Sequence, residues 1–133
     1  MQRPRKHSHK RDAILACVRS TDTHPTADWV FSQLKPVIPD LSLGTVYRNL
    51  AMFKQEGIIQ SVGVVNGLER FDRTVTPHCH FVCTCCGRVL DVPSAELPEA
   101  LIDAAEAELQ GKVATWNLQF TGLCKTCKEV QKQ

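Results

Sequence analysis

Four cysteines, arranged as two C-x-x-C pairs, constrain the fold of this chain more than any other feature of its sequence. The pairs are CTCC at 83–86 and CKTC at 124–127. This spacing lets two thiolates converge on one cation from a tight turn, and two such turns complete the tetrahedron that Zn(II) prefers. Gly87 directly follows the first pair and suits the turn. We therefore predict a structural zinc site made of Cys83, Cys86, Cys124 and Cys127.

The segment around these pairs is small enough to need a cross-link. A lobe of about 60 residues buries only about 60% of its unfolded surface, whereas structural zinc can supply about 10 kcal/mol of folding free energy. We predict strands at HFVCT, RVLDV and VATWNLQFTGL, and between them a helix with Ser94 as N-cap and Glu96 and Glu99 in its first turn. A redox function for the pairs is disfavoured, because a thioredoxin-type motif lies between a strand and a helix, whereas KEVQKQ follows the second pair.

Cellular location bears on how the cysteines are interpreted. No apolar run approaches the roughly 20 residues needed to cross a bilayer, and the basic N-terminus MQRPRKHSHKR lacks a signal-peptide core. We expect a cytoplasmic protein, in which disulfides are rare and spaced cysteines indicate metal or redox chemistry. Cys17 lies on an apolar helical face and is expected in the core. Cys85 could be an alternative ligand or an oxidisable thiol, and the role of Cys79 stays open.

Three helices and a hairpin are predicted ahead of the cysteine-rich part. The first helix runs from Lys10 to about Arg19, Thr26 caps the second, and Ser42 caps the third. The apolar residues of the second and third helices follow a helical period: Ala27, Val30, Phe31 and Leu34, then Leu43, Val46, Leu50 and Phe53. The turn Asn66-Gly67 joins IIQSVGVV to LERFD in a two-stranded wing.

The third helix carries the side chains that indicate a DNA partner. Its opposite face shows Thr45, Arg48, Asn49 and Met52, with Tyr47 on the flank, and Arg and Asn are side chains that read guanine and adenine. Residues 1–73 carry 11 Lys/Arg against 7 Asp/Glu, whereas residues 74–133 carry 5 against 7. The basic half favours a polyanion, although a small helical core with an ordinary polar face is an open alternative. Predicted DNA contacts are Tyr47, Arg48, Asn49 and Thr45, with Lys10 and Arg11 on the backbone or minor groove.

A second group of metal ligands is indicated by histidines near the zinc pairs. His78 and His80 form H-x-H, which places both imidazoles on one face of a strand. Five stretches of the chain match a known family: HPTADWVFSQL, LSLGTVYRNL, the wing ending RFD, HCHFVCTCCGRVLD and the terminal CKTC. In these stretches the chain resembles the ferric uptake regulator family, and the resemblance covers nearly its whole length.

The resemblance implies an α+β protein that acts as a homodimeric, metal-dependent repressor. Its expected parts are a winged-helix DNA-binding domain at 1–73, a hinge at 74–78, and a small α/β dimerisation domain at 79–133 that holds the structural Zn(II). It also implies a palindromic double-stranded operator and no membrane partner. Five ligands of a regulatory metal between the domains are carried over: His24, Asp72, His78, His80 and Asp91.

The ligand types suit Fe(II) or Mn(II), since three imidazoles and two carboxylates form a mixed N/O site. Asp91 stands where iron and zinc sensors of the family more often have Glu, and Asp at both carboxylate positions, 72 and 91, resembles the peroxide-sensing branch. That branch implies that peroxide reacts at bound Fe(II) and oxidises His24 or His78. The alternatives are an iron-responsive repressor that senses metal level only and, more distantly, a thiol switch. A zinc hydrolase or deaminase is disfavoured, because the general-base Glu of an H-x-E motif is missing: the residues two positions after His78 and His80 are His80 and Val82.

Overall fold

The computed structural model describes residues 8–131 of the chain, and these form an α+β protein, as predicted. The chain divides into two compact units, with the boundary between Val75 and Thr76. That boundary falls within the segment 74–78, whose role as a hinge stays a prediction. In the described residues, the longest helix has 13 residues, and none is long and apolar enough to span a membrane.

The first unit opens with three helices, each begun by a hydroxyl side chain. The helices are α1 (His9–Arg19), α2 (Ala27–Leu34) and α3 (Leu43–Gln55). The side chains of Ser8, Thr26 and Ser42 accept hydrogen bonds from first-turn N–H groups at 3.4, 3.0 and 3.1 Å. Such caps satisfy amides that have no partner inside the helix. The predicted caps at Thr26 and Ser42 are confirmed, and the cap at Ser8 is an addition.

The core of the first unit forms where the apolar faces of these helices meet. Val46, Leu50 and Phe53 on α3 are fully buried, as the helical period predicts, and Cys17 is in the same core. Met52 packs partly against this core rather than projecting from the opposite face, so that part of the prediction is wrong. The buried members of the cluster are Ile14, Cys17, Val18, Ala27, Val30, Ile38, Leu41, Val46, Leu50, Phe53, Ile59 and Phe71.

A two-stranded antiparallel hairpin completes the first unit. It pairs β1 (Gln60–Val65) with β2 (Leu68–Asp72) through the turn at Asn66 and Gly67, whose φ angles are 53° and 82°. Both positive angles fit the tight hairpin turn that Asn-Gly predicts. Three helices followed by this hairpin form the arrangement typical of a winged helix.

The second unit is a three-stranded sheet with two helices. Its strands are β3 (Cys79–Cys83), β4 (Val89–Val92) and β5 (Leu118–Gly122), in the order β4-β3-β5. The pair β3 and β4 is antiparallel, whereas β3 and β5 are parallel. The helices are α4 (Glu99–Leu109) and α5 (Lys125–Gln131).

Two predictions for the second unit are wrong in their details. Helix α4 begins at Glu99 with Pro98 at the cap position, so Ser94 is not its N-cap and Glu96 is outside it. The residue before a proline is disfavoured in the helical region, which prevents a start at Leu97 or earlier. The third strand begins only at Leu118, so residues 113–117 of the predicted strand are irregular.

Candidate metal centres and nucleic-acid interface

The four predicted zinc ligands converge in the second unit. One Sγ atom from each of Cys83, Cys86, Cys124 and Cys127 lies within 4.8 Å of the others, and the Cys86 and Cys124 sulfurs are 3.8 Å apart. A tetrahedral ion with Zn–S bonds of about 2.3 Å requires sulfurs about 3.8 Å apart. The thiol arrangement therefore fits one Zn(II) ion.

The parallel pairing of β3 with β5 explains why the pairs meet. Parallel strands end at the same edge of a sheet, and Cys83 ends β3 while Cys124 follows β5 by two residues. The Thr84 N–H donates to the Gly122 carbonyl at 2.8 Å and joins the two turns. Gly87 has a φ of 75°, which an L side chain rarely adopts, and its N–H donates to the Cys83 carbonyl at 2.9 Å. The first turn therefore requires this glycine.

Backbone amides stabilise the deprotonated form of two of the four cysteines. The Cys86 and Cys124 N–H groups donate to Cys83 Sγ at 3.5 and 3.4 Å, and they lower the pKa of Cys83 to about 6. The backbone N–H of Cys127 lowers the pKa of Cys124, whereas hydrogen bonding with Cys124 and Cys83 raises the pKa of Cys127. Thiolates are the zinc-binding form, so the backbone favours the binding form at Cys83 and Cys124.

The second pair follows strand β5, with Cys124 directly before helix α5 and Cys127 in its first turn. Its position alone therefore does not exclude a redox motif, contrary to the expectation from KEVQKQ. A redox C-x-x-C pair acts as two thiols, whereas here four thiols from two turns surround one point. The convergence favours a metal site.

The remaining cysteines of the second unit differ in exposure. Cys85 is exposed within the first turn, whereas Cys79 is fully buried. The Cys79 thiol is 3.3 Å from the Ala95 carbonyl, to which it donates. Only Cys85 of these two is open to a dissolved oxidant.

The first unit holds two of the predicted regulatory ligands, His24 and Asp72. Both are buried, and His24 Nε2 lies 3.3 Å from Asp72 Oδ2. The Phe71 N–H donates to the Pro25 carbonyl at 3.0 Å, so the segment after His24 is attached to the strand that ends at Asp72. The other carboxylate oxygen of Asp72 accepts the Thr74 N–H at 2.8 Å, which fixes the orientation of the carboxylate.

The backbone at His24 is also unusual, with a φ of 56°. Few residues other than glycine adopt this left-handed conformation, and such strain often accompanies functional sites. His24 lies three residues before the first residue of α2, Ala27.

The second unit holds the other three predicted ligands. His80 and Asp91 are cross-strand partners in the pairing of β3 with β4, and His80 Nε2 lies 3.3 Å from Asp91 Oδ1. His78 Nε2 lies 3.0 Å from the same oxygen. The Thr76 carbonyl is 2.7 Å from His78 Nδ1, so it accepts the ring proton there and leaves Nε2 as a possible metal donor.

The distances within each ligand set suit a divalent ion. Bonds of about 2.1 Å place neighbouring donors about 3.0 Å apart in an octahedron and about 3.4 Å apart in a tetrahedron. The nitrogen-to-oxygen distances of 3.0 to 3.3 Å fall in that range. Nothing in the sequence pattern indicates the orienting contacts from Thr74 and Thr76, because they are made by backbone groups.

The predicted DNA-contacting side chains on helix α3 differ in their exposure and in the hydrogen bonds that they make. Tyr47 is 44% exposed, and its hydroxyl donates to Asp28 at 3.2 Å. Arg48 is exposed and donates to the Thr45 hydroxyl at 3.1 Å. Asn49 is half-buried and donates to the Thr45 carbonyl at 2.8 Å, so part of its amide is engaged by the helix.

Lys10 and Arg11 on α1 form ion pairs within the first unit. Lys10 Nζ lies 3.1 Å from Asp40, and its hydrogen bond lowers the pKa of that carboxyl group. Arg11 lies 3.5 Å from Glu56 and stacks over Phe53 at 5.6 Å from the ring centroid. Both cations are half-buried, and contact with DNA would require each to exchange its carboxylate for a phosphate.

Comparison with known proteins identifies the family. The model of the Ferric uptake regulator family matches residues 2–121. The chain belongs to the ferric uptake regulator family. The match spans the three helices, the wing and the first cysteine pair, and it ends before the second pair.

Similar proteins within the family include both iron and peroxide regulators. The chain is 33% identical over 120 residues to the peroxide-responsive repressor PerR of Staphylococcus epidermidis, which covers 90% of this chain and 79% of that protein. The iron-containing ferric uptake regulator of Francisella tularensis superposes with a TM-score of 0.79 at 26% identity, over 96% of this chain and 98% of that chain. The Campylobacter jejuni peroxide stress regulator gives 0.75 at 27% identity, over 89% and 88%.

Proposed function

We propose that this protein is a homodimeric, metal-dependent transcriptional repressor that senses hydrogen peroxide, and that it is a regulator rather than an enzyme. Its family membership and its similarity to a peroxide-responsive repressor support the general function. The observation that carries the peroxide assignment is that both carboxylates beside the imidazoles belong to aspartates. Asp72 and Asp91 each lie within 3.3 Å of an imidazole nitrogen.

We assign one structural Zn(II) to the four cysteines and one regulatory Fe(II) or Mn(II) to the histidines and aspartates. The regulatory ligands are His24, Asp72, His78, His80 and Asp91. Neutral imidazoles and carboxylates suit these ions, whereas thiolates retain zinc. Two of the ligands come from the first unit and three from the second, so an ion shared by both sets would favour one arrangement of the units. A shift from 1:99 to 99:1 needs about 5.5 kcal/mol of differential affinity.

The proposed partner is a palindromic DNA operator, read by α3 of each subunit in the major groove. Tyr47 and Arg48 are the leading contacts, because both are exposed on α3. Asn49 and Thr45 also lie on α3, and Lys10 and Arg11 are assigned to the DNA backbone or the minor groove. An operator as partner also favours a cytoplasmic location.

The second unit is the proposed dimerisation surface. No residue of α4 is buried, and Leu101 and Leu109 on it are 56% and 74% exposed. A helix of 11 residues is marginal without a surface to cover its apolar side. Phe120 on the edge strand β5 is also exposed, at 44%. A second copy of the chain would bury these side chains together.

Peroxide sensing would modify His24 or His78. When bound, Fe(II) would supply the one-electron chemistry that activates peroxide beside these rings, with the imidazole as the net two-electron donor, whereas Mn(II) does not readily perform this chemistry. In the net reaction one peroxide oxygen is added to an imidazole carbon and the other leaves as water, so the peptide gains 16 Da. The altered ring donates less well to a metal, and the repressor then leaves the operator.

Mass spectrometry after one dose of peroxide tests the proposal. Iron-loaded protein should gain 16 Da on the peptide containing His24 or His78, and manganese-loaded protein should not. His9, exposed on α1, is the internal control and should stay unmodified. Iron-loaded protein without the added mass at either ligand would exclude this mechanism.

A metal-level sensor is the second candidate, favoured by the similarity to the iron-containing regulator of Francisella tularensis. The two candidates differ in one measurement. At constant metal concentration, peroxide should abolish operator binding by a peroxide sensor and leave a metal-level sensor bound. The thiol-switch alternative predicts instead that Cys79→Ser with Cys85→Ser removes the response. Burial of Cys79 weighs against its part in that alternative.

A further inference from the structure

Gly44 occupies the first turn of α3, where an alanine would form a more stable helix. A Cβ atom added at Gly44 would lie 3.2 Å from Nη1 of Arg48, which is closer than most contacts of real Cβ atoms. The missing side chain therefore leaves room for a guanidinium group. This function for Gly44 is not visible in the sequence, because it depends on where the Arg48 side chain lies.

The direction of the Arg48 side chain follows from helix geometry. Side chains on a helix lean toward its N-terminus, so Arg48 covers the positions three and four residues before it. Those positions are Thr45 and Gly44. A cation this close to the positive end of a helix is electrostatically disfavoured, so its position requires specific support.

Two hydroxyl groups supply that support. Thr45 Oγ1 accepts from Arg48 Nη2 at 3.1 Å and lies 2.8 Å from Ser42 Oγ. Ser42 Oγ is itself fixed, since it accepts the Thr45 N–H at 3.1 Å as the helix cap. Because Thr45 accepts from Arg48, its own proton is available to Ser42. The cap of α3 and the guanidinium are thus linked through one threonine.

We propose that Gly44 and Thr45 are positioning residues that hold the Arg48 guanidinium over the first turn of α3 as a fixed fork for a DNA base edge. The inference rests on the proposed function, in which α3 reads the operator. Arg recognises guanine through two parallel N–H donors of fixed geometry. A side chain already held in the bound orientation loses less conformational freedom on binding. Thr45, predicted above as a DNA contact, would then act through Arg48 rather than by touching DNA.

A double-mutant cycle on Thr45 and Arg48 tests the inference. The probe is a duplex selected from a random-sequence library with the zinc- and manganese-loaded wild-type protein, and affinity is measured by fluorescence anisotropy. Arg48→Ala should weaken binding by about 5- to 150-fold. Thr45→Val removes the hydroxyl with little change of shape and should weaken binding by about 2- to 10-fold. Thr45→Ser, which retains the hydroxyl, should bind as the wild type does.

In the Arg48→Ala background, Thr45→Val should have no further effect, because the group that Thr45 positions is gone. An equal loss in both backgrounds would show that Thr45 contacts DNA itself and would overturn the inference while leaving the proposed function intact. Unchanged binding by Arg48→Ala would instead refute the placement of α3 as the recognition helix, and with it the inference.

Gly44→Ala supplies an independent measurement, in which stability and recognition should change in opposite directions. Alanine should raise the Tm of the first unit by about 2–8 °C, since it suits a helix better than glycine. The added Cβ displaces the guanidinium, so selectivity for the selected duplex over a scrambled duplex should fall. A variant that is more stable and equally selective would overturn the role of Gly44.

Discussion

Removing the proposed structural zinc should unfold the second unit and leave the first unit folded. The second unit buries few aliphatic side chains, with Val82 and Val89 as its only buried branched ones among the described residues. Full burial of two such side chains contributes about 3–6 kcal/mol. Structural zinc supplies about 10 kcal/mol or more, which is of the same order as the whole stability of an ordinary domain. The first unit has its own twelve-residue core.

The two tryptophans of the chain allow each unit to be followed separately. Trp29 lies on α2 of the first unit, and Trp116 lies between α4 and β5 of the second. Trp116→Phe leaves Trp29 as the reporter, and Trp29→Phe leaves Trp116. A strong chelator should shift the Trp116 emission to longer wavelength, as solvent reaches the ring, and leave the Trp29 emission unchanged.

A matched pair of serine variants identifies the ligands. Cys86→Ser should lose bound zinc, measured by elemental analysis, and should reproduce the effect of the chelator on Trp116. Cys85→Ser, one residue away and exposed in the same turn, should retain one zinc per chain. Retention of zinc by Cys86→Ser, or its loss from Cys85→Ser, would refute the ligand assignment. Chelation with no change at Trp116 would refute the structural role of zinc.

Two further changes test the dimer surface and the core. Leu101→Glu with Leu109→Glu should convert a dimer to a monomer in sedimentation equilibrium, because two charges enter the proposed apolar interface; an unchanged dimer mass would place the interface elsewhere. Phe53→Ala should lower the free energy of unfolding of the first unit by about 3–5 kcal/mol, since Phe53 is fully buried. Urea unfolding followed through Trp29 measures it, and a loss below about 1 kcal/mol would contradict the packing.

The sequence predicts best the features that depend on neighbouring residues. The caps at Thr26 and Ser42 and the turn at Asn66-Gly67 are local, and the structure confirms them. The convergence of four thiols is also predictable, because the C-x-x-C spacing of the two pairs is typical of a tetrahedral metal site. The exclusion of a redox role from the position of the second pair was wrong. Helix α5 was missed because it has seven residues and no buried side chain, so its sequence shows little apolar pattern.

Features that depend on tertiary geometry are not predictable in the same way. The N-cap predicted at Ser94 places the start of α4 too early, because Pro98 determines where the helix begins. The parallel pairing of β3 with β5 follows from strand order, which no local pattern records. The support of Arg48 by Thr45 needs the side-chain positions themselves.

The parallel pairing of β3 with β5 also has a consequence for the order in which the second unit folds. The pairing joins Cys79 to Leu118 and continues to Cys83 and Gly122, so it closes a loop that contains β4 and α4. Such distant contacts form slowly, because the chain loses conformational entropy when the loop closes, before the stabilising contacts are made. Cys83 and Cys86 are close in sequence and can hold an ion first, and capture by Cys124 and Cys127 then brings β5 beside β3. The zinc ion would thus act as a nucleus for folding as well as a cross-link in the folded state.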